Sequence, residues 1–108
     1  MAASKPQRSS GKKVEASGLQ GPIPESLSFL TKLTELRISD LSGESSHFPN
    51  LSMMADMHLL VLRRCNITGI IPHYISNMPK LKHLDLSFNN LNGDMPNFNL
   101  NGLKLEKM

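Results

Sequence analysis

Apolar residues recur along this chain with a period of 24 residues. Three segments superpose when each is counted from its own first residue, and these residues are Leu33, Met57 and Leu81. Positions four and six of every segment are apolar, with one residue between them, as in Leu36, Ile38, Leu60, Leu62, Leu84 and Leu86. Counting back by one more period places Val14 at position six and Leu19 at position eleven. A period of this length predicts a repeat architecture.

The apolar pair predicts a short strand with one buried face, because side chains alternate across a strand with period two. Most periods continue with a glycine at position thirteen and a proline at position sixteen, and these residues are Gly21, Pro24, Gly69, Pro72, Gly93 and Pro96. They bend the chain and leave no room for a long helix, so we reject a helical interpretation. One coil cannot bury its own apolar edge, and the pattern therefore predicts stacked coils with a continuous core.

The pattern resembles the plant-specific class of leucine-rich repeats, whose signature is LxxLxLxxNxLxGxIP, over residues 14–96. The segments GPIP, TGIIP and GDMP, which begin at Gly21, Thr68 and Gly93, carry the match. The resemblance implies an α/β-type leucine-rich-repeat solenoid, with short parallel β-strands on the concave face and loops and short 3-10 turns on the convex face. The stretches RISDLSG (37–43) and LRRCNITGIIP (62–72) resemble the ectodomain of plant receptor-like serine/threonine kinases, in the subgroup whose repeats precede a malectin-like domain.

Departures from the signature change the expected coils. In the first full repeat, Leu41 and Gly43 fit only when they are slid by two positions, which predicts an irregular outer loop over residues 44–48. Cys65 stands where the signature has asparagine, and we favour a buried thiol, because a nucleophilic thiolate needs an activating histidine or cation. Asn89 keeps the signature residue, and we expect its side chain to satisfy backbone groups of the turn and of the neighbouring coil.

The formal net charge of +3 is concentrated at the N-terminus, where the first thirteen residues contain Lys5, Arg8, Lys12 and Lys13. This polar segment predicts a disordered basic tail over residues 1–13, before repeats over 14–102 and the truncated start of a next strand over 103–108. A basic tail on a neutral body argues against nucleic-acid binding. No signal peptide and no bilayer-spanning apolar run is visible, so the chain as written is expected to be cytosolic or of unknown location.

No catalytic, cofactor-binding or metal-binding motif is visible. A single cysteine excludes a cysteine-based metal site, and neither phosphate-loop nor kinase signatures occur. Outward positions three, five, seven and eight of the strands instead form a candidate binding face for a protein or peptide. An ordinary solvated surface is the plainer alternative. The candidate residues are Glu35, Arg37, Asp40, Leu59, Val61, Arg63, Arg64, His83, Asp85 and Phe88, with Ser39 and Ser87 in the same columns.

Two N-glycosylation sequons begin at Asn50 and Asn66, and they agree with the secreted habitat that the resemblance implies. The resemblance implies a non-catalytic recognition or spacer segment of a receptor-like kinase ectodomain, extracellular in its parent protein. A protein or peptide ligand or a co-receptor is the expected partner, with any cell-wall carbohydrate bound through the parent protein. The alternative is a free-standing leucine-rich-repeat inhibitor or scaffold.

Overall fold

The apolar pairs fold into short strands that stack from coil to coil. A computed structural model describes residues 8–9, 13–92 and 104–105. Four strands, β2, β3, β5 and β7, open the coils that we number first to fourth. In chain order the elements are β1 (Arg8–Ser9), β2 (Lys13–Ser17), the 3-10 helix η1 (Glu25–Phe29), β3 (Glu35–Ser39), β4 (Ser46–His47), β5 (Leu59–Arg63), β6 (Ile67–Ile70), the 3-10 helix η2 (His73–Asn77), β7 (His83–Asp85), β8 (Asn90–Asn92) and β9 (Lys104–Leu105).

The main sheet is parallel from β2 onward, as the repeat predicts. Its order is β1-β2-β3-β5-β7-β9, and among the described strands β1 alone runs antiparallel to its neighbour. Arg37 lies opposite Val61, and Val61 lies opposite Asp85. This register confirms the predicted parallel sheet and the 24-residue spacing of the second, third and fourth coils.

The first coil lies in a different register from the predicted one. Val14 pairs with Leu36 at position four, so its placement at position six was wrong; Ala16 takes position six opposite Ile38. The spacing from Val14 to Leu36 is 22 residues, because the first coil is two residues short after its strand. The second coil has the same shortened turn, but its irregular outer loop restores the 24-residue spacing from Leu36 to Leu60. Gln20 accordingly bridges Ser42, in agreement with the predicted slide of Leu41 and Gly43.

The predicted tail falls partly within the described residues. Lys13, which the prediction left in the tail, is the first residue of β2, and Arg8–Ser9 pairs with β2 as β1. Residues 1–7 and 10–12 lie outside the described part, as do residues 93–103 with the third GxxP motif. The segment predicted to start a next strand contains β9, which pairs with β7.

The core is a column of aliphatic side chains that runs through the stacked coils. Leu36, Leu60 and Leu84, at position four, have no exposed surface. The return paths add Leu27 from η1 and Ile75 from η2, both buried. Each 3-10 helix follows an extended proline, Pro24 or Pro72, whose ring sets the backbone angle at which the chain turns inward. The predicted short 3-10 turns are therefore present.

A second, three-stranded parallel sheet lies where the sequence predicted only loops and turns. Its order is β4-β6-β8. The second coil joins it irregularly, because Ser42 bridges back to the first coil while Ser46 and His47 pair forward with β6. The predicted irregular loop over residues 44–48 therefore contains the short strand β4. This sheet could not be read from hydrophobic alternation, because strands of two to four residues carry too little pattern.

The side chain of Asn89 joins the third and fourth coils, as predicted. Its Oδ1 accepts hydrogen bonds from the amides of Cys65 (2.8 Å) and Ile67 (3.1 Å). Its Nδ2 donates to the carbonyls of Leu62 (2.6 Å) and Leu86 (3.0 Å). Nδ2 also donates to the carbonyl of Ser87 (3.4 Å), so one polar side chain supplies five backbone groups at the end of two neighbouring strands.

Cys65 performs only part of this role one coil earlier. It is 1% exposed, and its Sγ donates to the carbonyl of Ile38 at 3.2 Å, the counterpart of the Asn89 contact with Leu62. The second coil is two residues short at this point, and the Leu41 amide already donates to the carbonyl of Arg64 at 3.1 Å. The shortened coil therefore lacks the pair of free amides that an asparagine would accept from.

We expect Leu60→Ala to be far more damaging than Leu59→Ala. Leu60 is fully buried, and truncating such a leucine costs about 2–5 kcal/mol, whereas its neighbour points outward and is half-buried. Urea unfolding of both variants measures the difference. Equal losses would show that the alternation of β5 is reversed, because a one-residue slip exchanges the two faces of a strand.

We also expect Cys65→Asn, which restores the repeat signature, to destabilise the chain by about 1–3 kcal/mol. The new Nδ2 can still donate to Ile38, but the new Oδ1 is buried without two amides to accept from. The urea midpoint is the measurement, with Cys65→Ala as the control for removal of the thiol. A midpoint equal to or above that of the unchanged chain would contradict this account of the second coil.

Candidate binding face

The candidate face consists of the outward side chains of the main sheet. The register aligns Glu35 with Leu59 and His83, and Arg37 with Val61 and Asp85, as the sequence predicted. Arg37, Val61 and Asp85 each lie between two buried residues, and the burial of β3, β5 and β7 alternates along the strand. Asp40, Arg64 and Phe88 follow the strands at position eight and are exposed. The structure thus brings all ten predicted residues to one surface.

Ser87 is an exception within the predicted columns. Only 8% of its surface is exposed, so the expectation of an outward side chain is wrong. β7 ends at Asp85, and both the amide and the hydroxyl of Ser87 donate to Asp85 Oδ1. The turn therefore folds the serine side chain back toward its own coil, where its hydroxyl and amide hold the Asp85 carboxylate.

Two face residues were missed by the sequence analysis because the first coil was misaligned. Lys13 pairs in register with Glu35, and its Nζ lies 3.3 Å from Glu35 Oε2. Glu15 lies opposite Arg37 at the next outward position of the strand. Matching the alternation of Val14 and Ala16 to positions four and six would have placed both on the face.

The acidic side chains at both ends of the face already have partners. Glu35 Oε2 lies between Lys13 and His58, whose Nε2 is 3.4 Å away. Asp40 Oδ1 lies 3.4 Å from Arg64 Nε, and both of these side chains are 60% exposed. Exposed pairs of this kind contribute about 0–1 kcal/mol each, and their main effect is to neutralise charge locally.

A compact cationic and aromatic group lies at the end of β5. The guanidinium carbons of Arg63 and Arg64 are each 4.9 Å from the centre of the Phe88 ring, which is 59% exposed. Arg63 lies between serine positions of the adjacent coils, and no carboxylate of the described residues is within ion-pair distance of it. We call Arg63, Arg64 and Phe88 the arginine–phenylalanine cluster.

Position eight has a left-handed backbone in all four coils. Its φ is +67° at Gly18, +59° at Asp40, +52° at Arg64 and +63° at Phe88. Glycine adopts this conformation freely, whereas a residue with a side chain is strained by about 1–2 kcal/mol. Two members of the arginine–phenylalanine cluster are therefore held in unfavourable backbone conformations. In the sequence, the left-handed conformation is indicated only by Gly18, which lies at position eight of the first coil.

Within residues 13–92, the remaining chemistry-bearing side chains do not assemble a reactive site. His47 and His73 are exposed and lie off the strand face, and the described residues contain no group of three or more histidine, cysteine or carboxylate side chains able to hold a metal. Burial raises the pKa of the Cys65 thiol from 9.0 to about 12, with a further contribution from the negative charge of Asp40. Hydrogen bonding to the Leu41 backbone opposes this shift. The thiol is thus protonated at neutral pH, and the predicted buried thiol is confirmed.

Comparisons with known proteins agree with the repeat. The Leucine Rich Repeat family matches residues 57–78 and 80–105. A probable LRR receptor-like serine/threonine-protein kinase of Arabidopsis thaliana is 55% identical over 58 residues, which are 53% of this chain and 6% of the kinase. Receptor-like protein 15 of the same plant is 37% identical over 83 residues, or 71% of this chain and 8% of that protein. The chain thus spans less than a tenth of these relatives.

Solved structures show the same fold. The LRR ectodomain of the receptor kinase SOBIR1 from Arabidopsis thaliana superposes with a TM-score of 0.68 and 32% identity, covering 82% of this chain and 48% of that one. A plant ice-binding protein superposes with the same TM-score and identity, covering 74% of this chain and 27% of that one. The chain is therefore a leucine-rich-repeat solenoid, homologous to Arabidopsis receptor-like kinases and receptor-like proteins.

The raised pKa of Cys65 makes the stability of the chain depend on pH. The unfolded thiol ionises above pH 9.0, while the folded thiol keeps its proton up to about pH 12. In that window the folded state binds more protons, so the contribution of Cys65 to the free energy of unfolding is constant below pH 9.0 and falls above it by up to roughly 1.4 kcal/mol per pH unit.

Urea titrations at about pH 8 and about pH 10 measure this loss, and Cys65→Ala removes its source. We expect the unchanged chain to lose more stability between the two pH values than the variant loses. The comparison also cancels the contribution of Tyr74, whose pKa is raised by burial. Identical losses in the two chains would contradict the buried, protonated thiol.

Proposed function

We propose that this leucine-rich-repeat chain is a ligand-recognition segment of a plant receptor ectodomain, and that its strand face binds a protein or peptide. The parent protein would be a receptor-like serine/threonine kinase of the malectin-containing subgroup, with this segment outside the plasma membrane. Two features support the proposal: homology to receptor-like kinases and the mixed chemistry of the face. The matched region consists of repeats, which recognise partners and carry no kinase motif.

The arginine–phenylalanine cluster is the single observation on which the proposed binding site depends. Exposed aromatic and arginine side chains dominate the energetics of protein interfaces, where aromatic rings supply large contact areas at low entropic cost. Phe88 contacts the guanidinium groups of both Arg63 and Arg64, which reduces the rotamer freedom that it would lose when a partner binds. Backbone strain at Arg64 and Phe88 is also typical of functional positions.

The charge distribution of the face selects an acidic partner. Glu35 and Asp40 are already engaged by cations, and Asp85 accepts hydrogen bonds from its own turn. Arg63 has no carboxylate partner among the described residues, although its guanidinium could bind one in a bidentate manner while stacked on Phe88. We infer that the partner places an acidic residue over Arg63 and an apolar residue beside Phe88.

A free-standing repeat protein that inhibits an enzyme or scaffolds partners is the alternative. The structural comparisons fit both interpretations, because they concern the repeat alone. In the described part of the chain neither helix is long and apolar enough to cross a bilayer. The gene sequence downstream of residue 108 separates the two functions: a malectin-like region, an apolar helix and a kinase domain would support the receptor.

We expect Phe88→Gly to abolish peptide binding without destabilising the chain. Glycine relieves the left-handed strain, which offsets the loss of two exposed cation–π contacts worth about 0.5–1 kcal/mol each. Peptides selected from a random phage-displayed library against the unchanged chain are synthesised, and their affinities for both chains are measured by calorimetry. The urea midpoint of the variant is measured in parallel.

The matched control is Phe29→Gly, because Phe29 is 81% exposed and lies in η1, away from the strand face. It should leave the affinity unchanged. A second variant, Arg63→Gln, should weaken peptides that contain an acidic residue by roughly tenfold or more and spare those that lack one. Peptides that bind Phe88→Gly as tightly as the unchanged chain would overturn the proposed site.

A further inference from the structure

The two N-glycosylation sequons differ in the state of the amide that would carry the sugar. Asn50 is exposed and follows Pro49 in the irregular part of the second coil. Its Oδ1 accepts hydrogen bonds from the amide (3.2 Å) and the hydroxyl (2.8 Å) of Ser52, the third residue of the sequon. These contacts fix the side chain through its oxygen, and Nδ2 has no hydrogen-bond partner among the described residues.

At Asn66 the situation is reversed. Its Nδ2 donates to the carbonyl of Gly43 at 3.0 Å, and the Thr68 hydroxyl donates to the carbonyl of Ser46 at 3.5 Å. Asn66 is half-buried with φ of +55°, and the central residue of its sequon, Ile67, is completely buried. Both polar side chains of this sequon therefore hold the irregular loop of the second coil against β6.

Asn50 also lies at the rim of a groove between the first and second coils. The groove has a volume of about 730 Å³, and its apolar lining includes Pro22, Ile23, Phe48 and Pro49. Pro24, Glu25, three serines and the His47 ring also line it. A sugar ring has one apolar face and a polar rim, so a lining of proline and aromatic rings with scattered hydroxyl groups is suited to its chemistry.

We propose that Asn50 carries an N-linked glycan whose innermost N-acetylglucosamine covers this groove, and that the amide of Asn66 is instead a structural clamp. In the modification, Asn50 Nδ2 forms a bond to the anomeric carbon of a lipid-diphosphate-linked oligosaccharide. The bond from that carbon to the diphosphate breaks, the lipid diphosphate leaves, and Nδ2 loses one proton. The inference rests on the extracellular placement in the proposed function.

The test uses the full chain behind a cleavable secretion signal, produced in plant cells and recovered from the medium. Intact mass is measured before and after enzymatic removal of N-glycans. The matched variants are Ser52→Ala and Thr68→Ala, which each destroy one sequon and leave both asparagines in place. We expect one glycan on the unchanged chain and on Thr68→Ala, and none on Ser52→Ala.

Secreted chain without a glycan on Asn50, or with one on Asn66, would overturn the assignment. Urea unfolding of bacterially produced protein tests the clamp, because Asn66→Ala should lower the midpoint and Asn50→Ala should leave it unchanged. Ligand binding plays no part in these measurements, so their failure is distinguishable from failure of the proposed binding site.

The groove is tested with Phe48→Trp. We expect iodide to quench the fluorescence of this tryptophan less efficiently while the glycan is attached than after its removal. Phe29→Trp is the control, since Phe29 is exposed in η1 and its quenching should not depend on the glycan. Quenching of the tryptophan at position 48 that is unaffected by glycan removal would overturn the proposed position of the innermost sugar.

Discussion

Every coil depends on the parallel hydrogen bonds and the shared apolar edge that join it to its neighbours. The bonding extends beyond the strands at both ends: His58 donates its amide to the Thr34 carbonyl at 2.9 Å, and Arg64 donates to the Ser87 carbonyl at 2.9 Å. A coil taken alone would expose both its backbone groups and its leucines. Positions four and six must therefore remain apolar, while the outward positions between them are free to vary.

The second coil meets this constraint with help from the third. Tyr74 donates its hydroxyl to the carbonyl of Pro49 at 2.6 Å and accepts from the amide of Leu51 at 2.9 Å, which replaces regular pairing where the loop is irregular. Asn66 and Thr68 bind the other side of the same loop. The shortened turn also removes the need for an asparagine at Cys65. An irregularity in one coil is thus matched by specific side chains in the next.

The sequence predicted those features that follow from the apolar period, and it failed where the period is broken. The parallel register of β3, β5 and β7, the burial of Cys65 and the contacts of Asn89 all follow from the repeat. The register of Val14 was not predicted, because an apolar alternation whose second member is as small as Ala16 is a weak signal. Ser87 was misplaced because β7 ends after three residues and a local turn takes over.

For the candidate site, the sequence predicted that the residues share one surface, but it could not predict which side chains are in contact. Stacking of Arg63 and Arg64 on Phe88 depends on the turn that carries Phe88, and that turn has a backbone conformation in which glycine would be unstrained. Strain of about 1–2 kcal/mol at Arg64 exceeds the roughly 0.5–1 kcal/mol of its cation–π contact, and at Phe88 the strain is about equal to the sum of its two contacts. The cation–π contacts therefore bring no net gain in stability at position eight, which agrees with the proposed role of these side chains in recognising a partner.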